Sequence, residues 1–180
     1  GTNALAATTS GEFNTAVGAF ALDANTTGAE NTAVGMGSLS SATTVSNNTA
    51  VGSTALFAVT TGDNNTGLGK GAGASLTTGT SNTLVGVACG DALTTTSSNT
   101  AVGTSALGSA TTASNNTCIG DAAGFGVTTG DNNLFLGRDA GRTGSPGGNF
   151  TSQSNKIVFG DENIDAAHIQ VSLTVASDKR

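Results

Sequence analysis

The chain predicts an all-β fold, a β-solenoid built from parallel 17-residue coils. Three observations carry that expectation. Asn-Thr-Ala-Val-Gly or a close variant begins at Asn14, Asn31, Asn48, Asn65, Asn82, Asn99, Asn116 and Asn133, always 17 residues apart. A period kept without insertion marks one supersecondary unit stacked on near-identical neighbours, not a domain folding alone. Second, Leu, Val, Ile and Phe together make only 35 of the 180 residues, and Trp and Tyr are absent. So sparse a set of large side chains cannot fill a globular core, yet it recurs at fixed positions, and only 10% of residues are charged, which opposes disorder. Third, Gly every four to six residues and paired Thr make a helical repeat costly, while Gly does not recur every third residue as collagen demands.

With the Asn as position 0, positions 0 to 4 predict a short strand and a corner, since Thr and Val favour strands and the Gly at position 4 permits a sharp turn. Position 3 is always branched and aliphatic: Val17, Val34, Val51, Leu68, Val85, Val102, Ile119 and Leu136. These are expected to form the core. Position 7 accepts only small residues, among them Ala21, Ser38 and Cys89. Position 8 is Leu in some units and Gly in others. Three of the Gly units carry Leu76, Leu93 or Val127 three residues later, a swap that conserves volume in a tight interior. The unit containing Gly141 has no such replacement, and there the pattern decays.

Position 12 is Thr in every unit: Thr9, Thr26, Thr43, Thr60, Thr77, Thr94, Thr111 and Thr128. Coils stacked at the ~4.8 Å spacing of paired strands would set these Thr and the eight Asn above one another as polar ladders, bonded to each other or capping turn backbone. Nine or so coils give a rod of roughly 40 to 45 Å. Residues 1–142 are assigned to this shaft. Residues 143–154, rich in Gly, Ser and Asn and holding the only proline, Pro146, predict a loop that breaks the stack. Residues 155–180 are expected to form a terminal β segment, with Ile169, Val171, Leu173 and Val175 alternating as in a half-buried strand.

One coil cannot stand alone, because burying a Val and a Leu returns far less than ordering 17 residues costs. Stacking, and association between chains, must supply the rest.

Composition also bounds function. The net charge is −6, and Lys70 is the only basic residue before Arg138. Without a basic patch or aromatic platform the chain is a poor partner for nucleic acid. No apolar run approaches the ~20 residues of a membrane-spanning helix, and no secretory signal opens the sequence, although a start in mid-repeat suggests a fragment. No catalytic, cofactor or metal site is expected. Cys89 and Cys118 lie in units two apart, beyond disulfide reach, and predict small buried thiols. Gly-Asp-Asn at 62–64 and 130–132, with Asp91 and Asp121, lacks the recurrence of calcium-binding rolls. His168 stands without a second ligand, and Gly67-Leu68-Gly69-Lys70-Gly71 lacks phosphate-loop spacing. Adjacent Thr-Thr pairs would point to opposite faces of a strand, which argues against an ice-binding array.

The unit Asn-Thr-Ala-Val-Gly-x-x-Ala-Leu followed by Thr-Thr-Gly resembles repeats of bacteriophage tail fibres and bacterial surface adhesins, and more loosely the heads of trimeric autotransporters. The resemblance covers about residues 1–144. It implies a homotrimer, an extracellular location, a non-enzymatic structural role as a shaft, and in the adhesin case a host-surface glycan or protein receptor. A self-assembling filament, stacked end to end or laterally, is the alternative. After the terminal strand, Ser177-Asp178-Lys179-Arg180 resembles the opening of a peptidase S74-type intramolecular chaperone, which would make Ser177 and Asp178 a relic of processing.

Overall fold

The computed structural model describes residues 1–145 and 147–164. Pro146, the alternating stretch 169–175, His168 and the Ser177–Asp178 pair lie outside the described residues. Nine three-residue strands form one parallel sheet in chain order: β1 (Thr15–Val17), β2 (Thr32–Val34), β3 (Thr49–Val51), β4 (Thr66–Leu68), β5 (Thr83–Val85), β6 (Thr100–Val102), β7 (Thr117–Ile119), β8 (Leu134–Leu136) and β9 (Ile157–Phe159). The described residues contain no helix. The fold is a β-solenoid. Each strand pairs with the next at the same repeat position, Thr15 with Thr32, Ala16 with Ala33, Val17 with Val34, and so on to Leu136 with Phe159. Eight steps of ~4.8 Å make the sheet about 38 Å long.

Direction within each strand overturns the expected core. Val17, Val34, Val51, Leu68, Val85, Val102, Ile119 and Leu136 do not fill the interior; Val17 is 57% exposed, Leu68 45% and Ile119 43%, and the others are half-buried. The buried residue is the middle one, position 2: Ala33, Ala50, Leu84, Ala101, Cys118 and Phe135 are wholly inaccessible. The physical reason is the two-residue alternation of a strand. The Asn at position 0 faces inward, so position 2 must follow it and positions 1 and 3 must both face out.

The interior is therefore position 2 with the small residues of position 7 and the movable aliphatic of positions 8 and 11. Leu22, Leu39, Leu56, Leu76, Leu84, Leu93, Leu107 and Val127 are all fully buried. The swap reads directly from contact. A Cβ on Gly73 would lie 2.8 Å from both Leu56 Cδ2 and Leu84 Cδ1, so Leu84 at position 2 and Leu76 at position 11 fill what position 8 leaves empty. Position 8 is left-handed in every coil, at φ 50 for Leu22, Leu39 and Leu56 and φ 61 for Gly73. Leu is uncommon there. Its presence shows that filling the core outweighs local backbone preference.

The invariant Gly at position 4 has two causes. Its φ lies near +133 to +141 from Gly18 to Gly120, a region closed to L-residues, and a Cβ there would strike the backbone of the next coil's Gly.

The stack also continues past the expected break. Residues 151–159 rejoin it one rung on: Thr128 N–H donates to the Thr151 carbonyl at 2.7 Å, and β9 pairs in register with β8. Residues 143–154 are thus not a linker. The last turn is 23 residues long in place of 17, and the six extra residues bulge between Gly141 and Thr151.

Candidate functional site: polar ladders, outer sheet face and the enlarged turn

The Asn column organises the wall. Each Asn Oδ1 accepts the backbone N–H of the residue one rung on, at 2.9–3.1 Å from Asn14 to Asn133, the last donor being Lys156. The same oxygen accepts from the next Asn Nδ2 at 3.0–3.4 Å. Each Nδ2 also donates, at 2.7–3.0 Å, to a carbonyl near the end of its own coil, such as Gly28 from Asn14 and Thr96 from Asn82. One amide therefore closes its coil and joins it to the next. Six of the eight, Asn31 to Asn116, are fully buried, and satisfying both ends of each amide is what makes that burial tolerable.

The Thr column works differently. The hydroxyls of Thr9, Thr26, Thr60, Thr77, Thr94, Thr111 and Thr128 donate to the carbonyl of the matching Thr one rung on, at 2.9–3.3 Å. These side chains bond to backbone, and the column sits at the exposed or half-exposed edge of the coil. A third ladder escapes notice in the sequence because its residue type varies. At position 15, Ser46, Ser97, Ser114 and Ser154 hydroxyls and the Asp63 and Asp131 carboxylates each accept a backbone N–H from the preceding rung. The Asp of both Gly-Asp-Asn turns is thereby occupied as an acceptor.

Outside, the sheet presents two columns. Position 1 holds Thr15, Thr32, Thr49, Thr66, Thr83, Thr100 and Thr117, then Leu134 and Ile157. Position 3 holds the eight branched residues wrongly expected inside, then Phe159. No charged residue occurs in any of the nine strands. Toward β9 the face turns wholly apolar, with Ile157 67% and Phe159 50% exposed.

Among the described residues, the enlarged turn is where the stack departs from its 17-residue period. Phe135 supplies the missing plug of the Gly141 unit: it is fully buried, and a Cβ on Gly141 would overlap its ring. Phe150, from the bulge, meets it edge to face at 5.7 Å. The Ser145 hydroxyl accepts from Gly141 N–H at 2.9 Å and donates to the Asp139 carbonyl at 2.8 Å. Arg142 bonds to Asp139 and lies over the Phe125 ring, 5.1 Å from its centre. Arg138 bonds to Asp161 at 2.8 Å. The Asn163 N–H and the Arg138 guanidinium hold the Asp161 carboxyl below its usual range, and Asp161 holds Arg138 above its own. A cleft of about 460 Å³ lies among Phe125, Arg138, Arg142, Asn149 and Glu162. Both of its arginines already have carboxylate partners.

Cys89 and Cys118 are free and buried; the Cys89 Sγ lies 3.2 Å from the Ala101 carbonyl. Burial pushes the Cys89 thiol up to about 12 and Cys118 higher still. Both therefore stay protonated as core atoms. Burial likewise raises the Asp91 carboxyl. Among the described residues no three His, Cys, Asp or Glu side chains gather as a metal site, and no helix is long and apolar enough to cross a membrane.

The geometry defines a single-sheet parallel β-solenoid with internally satisfied polar columns. Comparison with protein-family models, characterised proteins and solved structures returned no match.

Proposed function

We propose that this chain is a non-enzymatic structural segment of an extracellular fibre, a phage tail-fibre or adhesin shaft, that acts as a rigid spacer and works as a homotrimer. One observation carries the reading: nine strands in unbroken parallel register, with a ladder running through the whole Asn column. Such a rod fixes the distance between whatever lies at its two ends, because each rung is locked to the next by backbone and side-chain bonds. The tail-fibre likeness of the repeats and the chaperone-like Ser177-Asp178 ending support the same reading. In it, Ser177 and Asp178 mark processing and take no part in the shaft.

Analytical ultracentrifugation with electron microscopy tests it. Three-chain rods about 40 Å long, from a sheet of ~4.8 Å rungs, are expected. A stable monomer would remove the trimer, and featureless particles would remove the spacer.

The alternative, a filament grown end to end, has one observation in its favour. Each strand offers the next the same edge in the same register, so the pairing that joins two rungs would also join two chains. Micrographs of concentrated protein separate the two, since a filament lengthens with concentration and a fibre segment does not.

A further inference from the structure

The outer sheet face raises a question that the interior does not. Nine strands each turn two side chains outward, and neither column contains a charge, although the chain carries twelve acidic and six basic residues. The aliphatic column costs solvation at every rung. A monomer has no use for it, because position 2 and the movable Leu already fill the core. We infer that this face is the surface through which copies of this chain pack against one another, side by side, parallel and in register. The inference deepens the self-association proposed above and rests on that reading.

Four features select a second copy as the occupant. The first is period. The outward Val17, Val34, Val51, Leu68, Val85, Val102, Ile119, Leu136 and Phe159 recur at the strand spacing of ~4.8 Å over the whole sheet, and another copy has the same knobs at the same pitch. The second is charge. Copies of a −6 chain repel, and they meet at least cost through a face without ionised groups. The third is area. A strip about 38 Å long and about 10 Å wide matches the largest patch that an ordinary monomer exposes, a patch that is often functional. The strip alone falls short of the ~800 Å² per partner of a standard interface. Just past the Gly corner, position 5 adds exposed Met36 and Val87 but also Lys70, Asp121 and Arg138, so the uncharged strip ends at that corner.

The fourth is polarity along the axis, which fixes direction. From β1 to β7 the first strand residue is Thr; at β8 and β9 it is Leu134 and Ile157. Parallel, in-register packing sets the wholly apolar rungs of one copy against those of the next. Antiparallel packing would set them against the Thr15 and Thr32 hydroxyls. In the parallel arrangement each Thr faces the same Thr of the other copy and the two hydroxyls can bond to one another, whereas Thr15 and Thr32 against Ile157 and Leu134 would stay unpaired. Burying an unpaired hydroxyl costs free energy, so the parallel arrangement wins.

The test uses the full chain and two kinds of variant. Sedimentation equilibrium compares the parent with Val51→Lys/Val85→Lys, which charges the face, and with Thr44→Lys/Thr95→Lys, which adds equal charge at an exposed column elsewhere. Burying lysines at the face is expected to weaken association at least about a hundredfold, while the control stays within about threefold. Circular dichroism on each variant reports whether the coil survives. Oxidative cross-linking of Val51→Cys serves if it does not, since Cys89 and Cys118 are buried and protonated. Chains in register join at residue 51, whereas a mixture of Val34→Cys and Leu136→Cys chains, whose strands β2 and β8 would meet only in the antiparallel arrangement, forms no mixed product.

A mixed 34-to-136 product would overturn the parallel register. An oligomer that persists in Val51→Lys/Val85→Lys and shows no cross-link at residue 51 would overturn this face while leaving the fibre reading standing. A parent chain monomeric at roughly 100 µM, far above the Kd of a specific interface, would overturn both.

Discussion

The coils from β1 to β8 and the enlarged turn between β8 and β9 solve the same packing problem by different means. In the regular coils every contact is a column, so Asn82 makes the bonds that Asn65 and Asn99 make, one rung away. In the enlarged turn each contact is particular: Phe135 against Phe150, Ser145 under Gly141, Arg138 on Asp161. The lesson is that repetition is needed for the wall but not for the filling. Any arrangement of side chains that occupies the interior volume suffices, provided that the Asn and Gly positions keep their rungs.

Substitution at the Gly corner should separate the regions most strongly. Gly86 sits at φ 141 with the Gly103 backbone directly against the site of a Cβ, whereas Gly137 has φ 107 and its closest neighbour, the Gly160 Cα, at 3.1 Å. Gly86→Ala should cost about 4 kcal/mol or more and Gly137→Ala about half as much, read from urea unfolding. Equal losses would show that the last rung is held as rigidly as the others.

Phe135→Ala removes the plug of the enlarged turn and should cost about 3 to 5 kcal/mol. Hydrogen exchange should show β9 opening while β2 to β6 stay protected, because repeat stacks lose end units first. Uniform loss of protection would mean that the stack unfolds as one piece. Asn82→Ala leaves the Asn99 N–H without its side-chain acceptor and uncloses one coil, for a loss of about 2 to 4 kcal/mol. Asn133→Ala, at the end of the column, should cost less.

The thiols give a pH signature. An acid whose folded pKa is raised is ionised only in the unfolded chain once the pH passes its unfolded value, near 9. Stability should hold below that value and fall from pH 9 toward 12, and Cys89→Ala/Cys118→Ala should flatten the decline. A parent and variant with the same slope would place the cause elsewhere.

The smallest effect should be a gain. Asn25 occupies position 11, where other coils carry Ala42, Val59 or Leu76, and its buried Oδ1 has no partner while Nδ2 donates to Gly28. Asn25→Val should stabilise by about 1 kcal/mol, an orphaned acceptor outweighing one lost bond. A loss would mean that the Gly28 bond is worth more than the penalty.

Period, parallel stacking and coil length were all legible in the sequence, because each depends on identity repeated in a column. The core was misread at position 3. A branched aliphatic residue at every position 3 suggested burial, but such constancy follows equally from a face that meets the same surroundings at every rung. The informative signal was covariation of size: Gly67 with Gly73 and Leu76, Leu84 with Gly90 and Leu93, Phe135 with Gly141. Only side chains that share one interior must trade volume. The ninth rung was hidden by the six-residue bulge, although Thr151, Asn155 and the Ile157-Val158-Phe159-Gly160 run restate Thr128, Asn132 and Leu134-Phe135-Leu136-Gly137 at a distance of 23. The position-15 ladder could not be found by residue identity, since any short oxygen-bearing side chain serves there.

The enlarged turn shows that the circumference of a coil and its height are separate quantities. Six residues enter between Gly141 and Thr151, yet β9 lands on β8 without a shift. That corner is therefore a permissive site, where sequence of foreign origin could be displayed on the side of the rod without altering its length.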